Sequence, residues 1–184
     1  MQSQSFFRSD STTNGFTLLE VLITVILIGI LFAIAAPNWV AFINQQRVGS
    51  ARSQVAQAIR TAQSQAQQTK VNRAVVFDNN NGQPRYAIVA AANNSVDIDQ
   101  ITNWQTLGDG SIQPGIIRLW GDQGTDRNRA TLIFDGYGAI VASSVPYAIT
   151  IGAAIGVNPR RCVSVETLLG ATAENSDAAC PAAP

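Results

Sequence analysis

The sequence predicts an α+β chain in which one long N-terminal helix packs on a small antiparallel β-sheet. Three observations lead there. The run from Phe16 to Ala36 is apolar apart from a single charge, Glu20. Past Pro37, apolar residues recur at helical spacing as far as Ala66. From Val71 onward, short apolar segments alternate with glycine, proline and asparagine punctuation, as strands joined by turns do.

Residues 1–15 are short and polar, and they read as a leader that stands outside the fold. The next 21 residues, Phe16 to Ala36, form the apolar run. As a helix rising about 1.5 Å per residue they span roughly 31 Å, enough to cross a hydrocarbon core of about 30 Å. A carboxylate inside lipid costs about 2.5 kcal/mol or more, so Glu20 calls for a partner. The plainer alternative is an ordinary signal peptide or anchor with a tolerated glutamate. Against it, the run is long for a signal peptide and no small-residue cleavage site closes it.

Pro37 has no amide hydrogen to give the Ala33 carbonyl, which predicts a bend there, and Gly29 is a second weak point. Beyond the bend, Ala51, Val55, Ala58, Ile59, Ala62 and Ala66 make one stripe of a helix. Glutamines 54, 57, 63, 65, 67 and 68 occupy the rest of its surface. Arg47, Arg52, Arg60, Lys70 and Arg73 have no acidic residue among them, either a basic stripe facing a partner or a solvated helix face.

Residues 73–77 and 86–90 flank a turn-rich stretch and predict a hairpin. Further strands are expected at 115–120, 130–134, 139–141, 147–151 and 162–165. A length of 184 residues suits one domain plus an anchor. Zero net charge argues against bulk attraction to nucleic acid. Histidine, the commonest general base and metal ligand, does not occur in the sequence. No catalytic residue, cofactor or metal is expected. Asp97 with Asp99, or Asp122 with Asp126, are the candidate calcium pairs, but each offers too few oxygens, and solvated loop acids are the simpler reading.

Gly15-Phe16-Thr17-Leu18-Leu19-Glu20, followed by the uninterrupted apolar run, resembles the processing site of type IV prepilins and of the pseudopilins of type II secretion. The resemblance implies cleavage by a prepilin peptidase between Gly15 and Phe16, and N-methylation of Phe16. It also implies filament assembly through Glu20, whose carboxylate can pair with the free amine of a neighbouring subunit. Gly29 and Pro37 then bracket a helix hinge, because the family's helix is often partly unwound between such residues; a static kink is the alternative. Many prepilins have Lys or Arg immediately before the glycine, where this chain has Asn14. Flanking charge (Arg8 before the run, Arg47 and Arg52 after it) leaves the orientation ambiguous. The resemblance and the cysteine pair place the C-terminal part outside the cytoplasm.

Ala58, Ala62 and Ala66, then residues 131–138 and 147–151, resemble the minor pseudopilins of the GspH and FimT type. Residues 160–165 with 168–171 further resemble prepilin-like proteins of cyanobacteria. The implied organisation is a leader at 1–15, a hydrophobic transmembrane and assembly helix at 16–43, its amphipathic continuation at 44–70, and a β-rich head at 71–184. Cys162 and Cys180, on an exported domain, favour a disulfide over free thiols. Closing a loop of that size is worth about 3 kcal/mol in the chain-entropy model. The segment it encloses is small, polar and otherwise hard to hold down.

The expected function is that of a structural minor pilin or pseudopilin, not an enzyme. It would sit in the inner membrane as a single-pass protein and then in a pilus or pseudopilus at the cell surface or in the periplasm. The implied partners are the prepilin peptidase, other major or minor pilins or pseudopilins, and the inner-membrane assembly platform. Some FimT-like minor pilins bind DNA through arginines in a C-terminal tail. Residues 169–174 hold none here, which leaves Arg160 and Arg161, with Arg127 and Arg129, as candidate DNA contacts. Phosphate contacts need Lys or Arg, so DNA is not expected as a partner. Two alternatives stand beside this reading: a DNA-binding minor pilin for natural transformation, and a plain membrane-anchored exported domain.

Overall fold

The computed structural model describes residues 15–108, 110, 112–123, 126–141, 145–154 and 159–183, without the side chains of 35–38. The expected leader up to Asn14 lies outside the described residues, and so does the side chain of the hinge proline Pro37. The chain divides into two compact units, Met1–Ala41 and Phe42–Pro184. Helix α1 (Leu18–Thr69) contributes its first part to one and its second part to the other.

In the second unit, α1 is held by the stripe the sequence marks. Val48, Ala51, Val55, Ile59, Ala62 and Ala66 are fully buried. Four of the stripe's positions are alanines (51, 58, 62 and 66), and such small side chains let a helix backbone lie close to a sheet. The helix stops at Thr69, and Lys70 takes the left-handed conformation (φ 55°) that commonly ends a helix.

Eight strands follow: β1 (Arg73–Asn80), β2 (Gln83–Ala90), β3 (Gln105–Thr106), β4 (Ile117–Gly121), β5 (Arg129–Phe134), β6 (Tyr147–Ala153), β7 (Arg160–Val165) and β8 (Thr172–Ser176). They form two four-stranded antiparallel sheets, ordered β3-β2-β1-β5 and β4-β6-β7-β8. The architecture is α+β with the long helix on antiparallel sheets. The sequence reading has one sheet where the structure has two. Alternation shows that a segment is a strand but not which strand it pairs with, and β5 pairs back to β1 while β4 pairs forward to β6.

The β1–β2 hairpin closes on Asn81-Gly82, both at positive φ (50° and 78°), the geometry that matches the twist of the flanking strands. Counting from that turn, Pro84 falls at a position whose missing amide faces away from β1, so the ladder loses nothing. Its carbonyl accepts the Leu107 amide at 2.9 Å.

The main core lies under α1. Val75, Phe77, Leu132 and Phe134 supply it from the first sheet, and Ile117, Leu119, Ile149, Ile151, Val163 and Val165 from the second. Burying each large apolar side chain contributes about 1.5–3 kcal/mol. The outer face of the first sheet is covered as well. Val96, Ile98, Ile101 and Trp104 pack on Val76, Ala87 and Val89 of the first sheet. That second cover explains why β1 reads as a continuous apolar run and not as an alternating one.

Two expectations are corrected. Residues 139–141 make no strand: Ile140 forms an isolated bridge with Phe134, and its amide goes to the Leu168 carbonyl at 2.8 Å instead. The segment between the cysteines is not loose, because β8 pairs with β7 from Arg161↔Ser176 to Val165↔Thr172. Cys162 and Cys180 are joined by a disulfide across a sequence separation of 18. Removing it with Cys162→Ser and Cys180→Ser together should cost about 3 kcal/mol, read as a fall in the urea midpoint. The ladder should let β8 survive at low denaturant, visible as retained amide protection at residues 172–176.

Tyr147, at the start of β6, is buried. That burial, reinforced by the nearby Asp122 charge, pushes its phenol up to about 12. In the unfolded chain the same phenol ionises near pH 10. The neutral form is therefore favoured by folding. This stabilisation is complete below about pH 10 and is lost as pH rises from about 10 to about 12. A loss of about 2 kcal/mol is expected across that window. Tyr147→Phe should flatten the pH dependence of the urea midpoint between pH 9 and 11.

Candidate assembly site

In the first unit, Gly15 to Thr17 precede the helix and α1 begins at Leu18. Thr17 caps it: its Oγ1 and its carbonyl oxygen both accept the Glu20 amide, at 3.2 and 3.1 Å. Threonine followed three residues later by glutamate is a helix-start signature in its own right. The sequence reading missed it, having taken Glu20 as a charge in lipid and as a partner for a neighbour's amine. The residue thus stands at the helix N-terminus, where a carboxylate also meets the positive end of the helix dipole.

Every described apolar side chain from Phe16 to Ile34 is exposed, from 48% at Ile23 to 86% at Leu18. Among the described residues none covers them. A contiguous apolar surface of this size marks a membrane or a partner. Among the described residues no single helix is long and apolar enough to cross a membrane; Leu18–Ile34 and Trp39–Thr69 taken together pass by length and composition. A side chain added at Gly29 would meet nothing within 4 Å, so no contact among the described residues requires a glycine there.

The second unit shows what the glutamine-rich face does. Gln63 Nε2 donates to the carbonyls of Gly138 and Leu169, at 2.9 and 2.8 Å, and Gln67 Nε2 donates to that of Tyr137 at 3.2 Å. Two loops are tied to the helix in this way. Gly138 and Gly170, both at positive φ, fit because any Cβ would run into Gln67 or Gln63 respectively. The basic stripe is partly answered within the chain, for Arg52 and Arg60 reach Glu174 on β8 at 3.2 and 4.0 Å.

The candidate DNA contacts are not brought together. Arg160 and Arg161 are neighbours on β7, so their side chains leave opposite faces of the sheet. Arg127 donates to the carbonyls of Gly121 and Ala182, and Arg129 pairs with Asp78 and Asp126. Two of the acids offered for calcium serve turns instead. Asp97 accepts the Asp99 amide, and Asp126 accepts the Asn128 amide. Among the described residues no three metal-ligating side chains cluster.

Residues 11–36 match the family model described as the prokaryotic N-terminal methylation motif. The fold is similar to that of the type IV minor pilin FimU of Pseudomonas aeruginosa strain PAO1. That likeness has a TM-score of 0.53 at 14% identity and covers 76% of this chain and 99% of that one. A weaker likeness, with a TM-score of 0.46 at 14% identity, links it to the minor pseudopilin EpsH from the type 2 secretion system of Vibrio cholerae, over 71% of this chain and 97% of that one. Among curated proteins the chain has no significant sequence match. The chain thus joins a methylation-type N-terminal motif to a head whose fold is similar to that of FimU.

Proposed function

We propose that this chain is a structural subunit, not an enzyme, of a type IV pilus or type II secretion pseudopilus, built into the filament through its first helix. The observation that carries the reading is the uncovered apolar helix that begins three residues after Gly15, inside the matched motif. In the precursor that helix lies in the inner membrane as a single span, with the head outside the cytoplasm. A prepilin peptidase cuts between Gly15 and Phe16 and methylates the new amine on Phe16. The exposed side chains from Phe16 onward then exchange lipid for the helices of other pilins, at the assembly platform. Glu20 pairs with a neighbour's amine, and Gly29 and Pro37 give the helix room to bend.

The test is intact mass and N-terminal sequence of the protein from its own cells, without reducing agent. The expected chain starts at Phe16, carries one extra methyl group, and is two hydrogens lighter than its reduced form. A chain still holding residues 1–15, in cells with an active peptidase, would overturn the proposal and leave a membrane-anchored exported domain.

A further inference from the structure

Gln54, Gln57, Thr61 and Gln65 follow one another on α1 at steps of three, four and four, which makes them one stripe. It lies beside the core stripe and forms one wall of a groove of about 530 Å³. Tyr86 and Ile88 of β2, Asn103 in the loop before β3, and Gln105 of β3 line the other wall. That volume falls within the range of about 300–1,000 Å³ usual for small-molecule sites. Among the described residues no charged side chain lines the groove, and almost every lining residue carries a neutral hydrogen-bonding group.

Parts of this lining are fixed in place. Gln54 Oε1 accepts the Gly108 amide at 2.6 Å, and Gln105 Oε1 accepts the Tyr86 hydroxyl at 2.6 Å. The side-chain polar atoms of Gln57, Thr61, Gln65 and Asn103 are not engaged with any neighbour among the described residues. Convergent, uncommitted amides on a rigid helix and strand are suited to a ligand that is itself neutral and both donates and accepts at many points.

We infer that this groove is a binding site for a neutral saccharide. Each sugar hydroxyl is a donor and an acceptor, which matches the paired oxygen and nitrogen of a glutamine or asparagine amide. An ionic ligand would lose its hydration here without meeting an opposite charge, and an apolar one would strand the amides. An extended peptide fits less well. It would have to pair with the outer edge of β2, where β3 already occupies Arg85 and Tyr86.

The test uses the full-length protein in a zwitterionic detergent that carries no sugar headgroup, read by saturation-transfer difference NMR. The probes are neutral trisaccharides of glucose (α-1,4 and β-1,4 linked), galactose and N-acetylglucosamine, beside trigalacturonate and a blocked tetra-alanine peptide. At least one neutral trisaccharide should receive saturation. Gln57→Ala with Gln65→Ala, which keeps good helix formers, should weaken that binding about tenfold or more. Gln68→Ala, outside the groove and bonded to Ser64, should leave it unchanged. Transfer to none of the neutral sugars, undiminished binding in the double variant, or preference for trigalacturonate or the peptide would each overturn the assignment. The result does not depend on N-terminal processing, so it stands or falls separately from the filament reading.

Discussion

Cells whose only copy carries Glu20→Ala are expected to process the chain normally, hold it in the membrane, and show about a hundredfold less of it in sheared filaments. On the processing proposed above, the cut would leave a charged amine on Phe16, surrounded in a filament by the apolar side chains that are exposed in the single chain. Without a neighbour's Glu20 that amine is an uncompensated charge, and breaking a buried pair costs about 3–5 kcal/mol. At 1.4 kcal/mol for each factor of ten, the lower end of that range gives the hundredfold loss. Glu20 also sits in the first turn of α1, where its charge is worth about 0.3–1 kcal/mol to the helix. That smaller effect predicts a loss of only a few fold. Glu20→Gln keeps the shape and removes the charge, so it should behave like the alanine variant. The measurement is the ratio of protein in sheared and membrane fractions. Wild-type ratios in either variant would reduce Glu20 to a helix-start residue.

The N-terminal segment was legible because its physics is of one kind: a long apolar run, one charge, one preceding glycine. The α1 stripe was legible for the same reason, since burial of Ala51, Val55, Ile59, Ala62 and Ala66 follows from periodicity alone. The hairpin at Asn81-Gly82 was announced by its turn residues. β8 was not legible. Thr172-Ala173-Glu174-Asn175-Ser176 has no apolar alternation, and it is a strand because β7 offers an open edge and the cystine brings the tail back to it. β3 is two residues long and exists only by pairing with β2.

The glutamines were visible as a face but not as individuals. Gln63 and Gln67 hold loops, Gln54 holds the Gly108 amide, and Gln57 and Gln65 line the groove. Which does which depends on residues up to 106 positions away, a separation that no local pattern encodes. The candidate pairing of Arg160 with Arg161 failed for the opposite reason. Adjacency in sequence suggested one patch, and the strand's alternation sends the two side chains apart.

Asp78→Ala should be among the most destabilising single changes in the head, costing about 3 kcal/mol. Asp78 lies opposite Arg85 on β2 and opposite Arg129 on β5, so the three stand in one row across three strands. The carboxylate is 7% exposed. One of its oxygens accepts Arg85 Nε and Nη2 at 3.0 and 2.8 Å, and the other accepts Arg129 Nε at 3.0 Å. Arg85 is further fixed with its guanidinium 4.1 Å above the Trp104 ring. That bond to Asp78 is also what raises the Arg129 pKa above its ordinary value. Deleting the acid leaves two guanidinium groups beside a buried strand end with no counter-charge, the situation that costs about 3–5 kcal/mol when both ions are deeply buried. Both arginines keep some contact with water, which puts the expected value at the low end. The reverse experiment separates pairing from packing. Asp78→Val combined with Arg85→Met and Arg129→Met removes all three charges, and because apolar replacement of a whole buried network is often close to neutral, it should recover most of the loss. Urea midpoints of the two variants measure this directly. A loss below about 1 kcal/mol for Asp78→Ala would mean that the row behaves as ordinary surface ion pairs. A triple variant no more stable than the single one would show that geometry, and not the stranded charge, holds that end of the sheet.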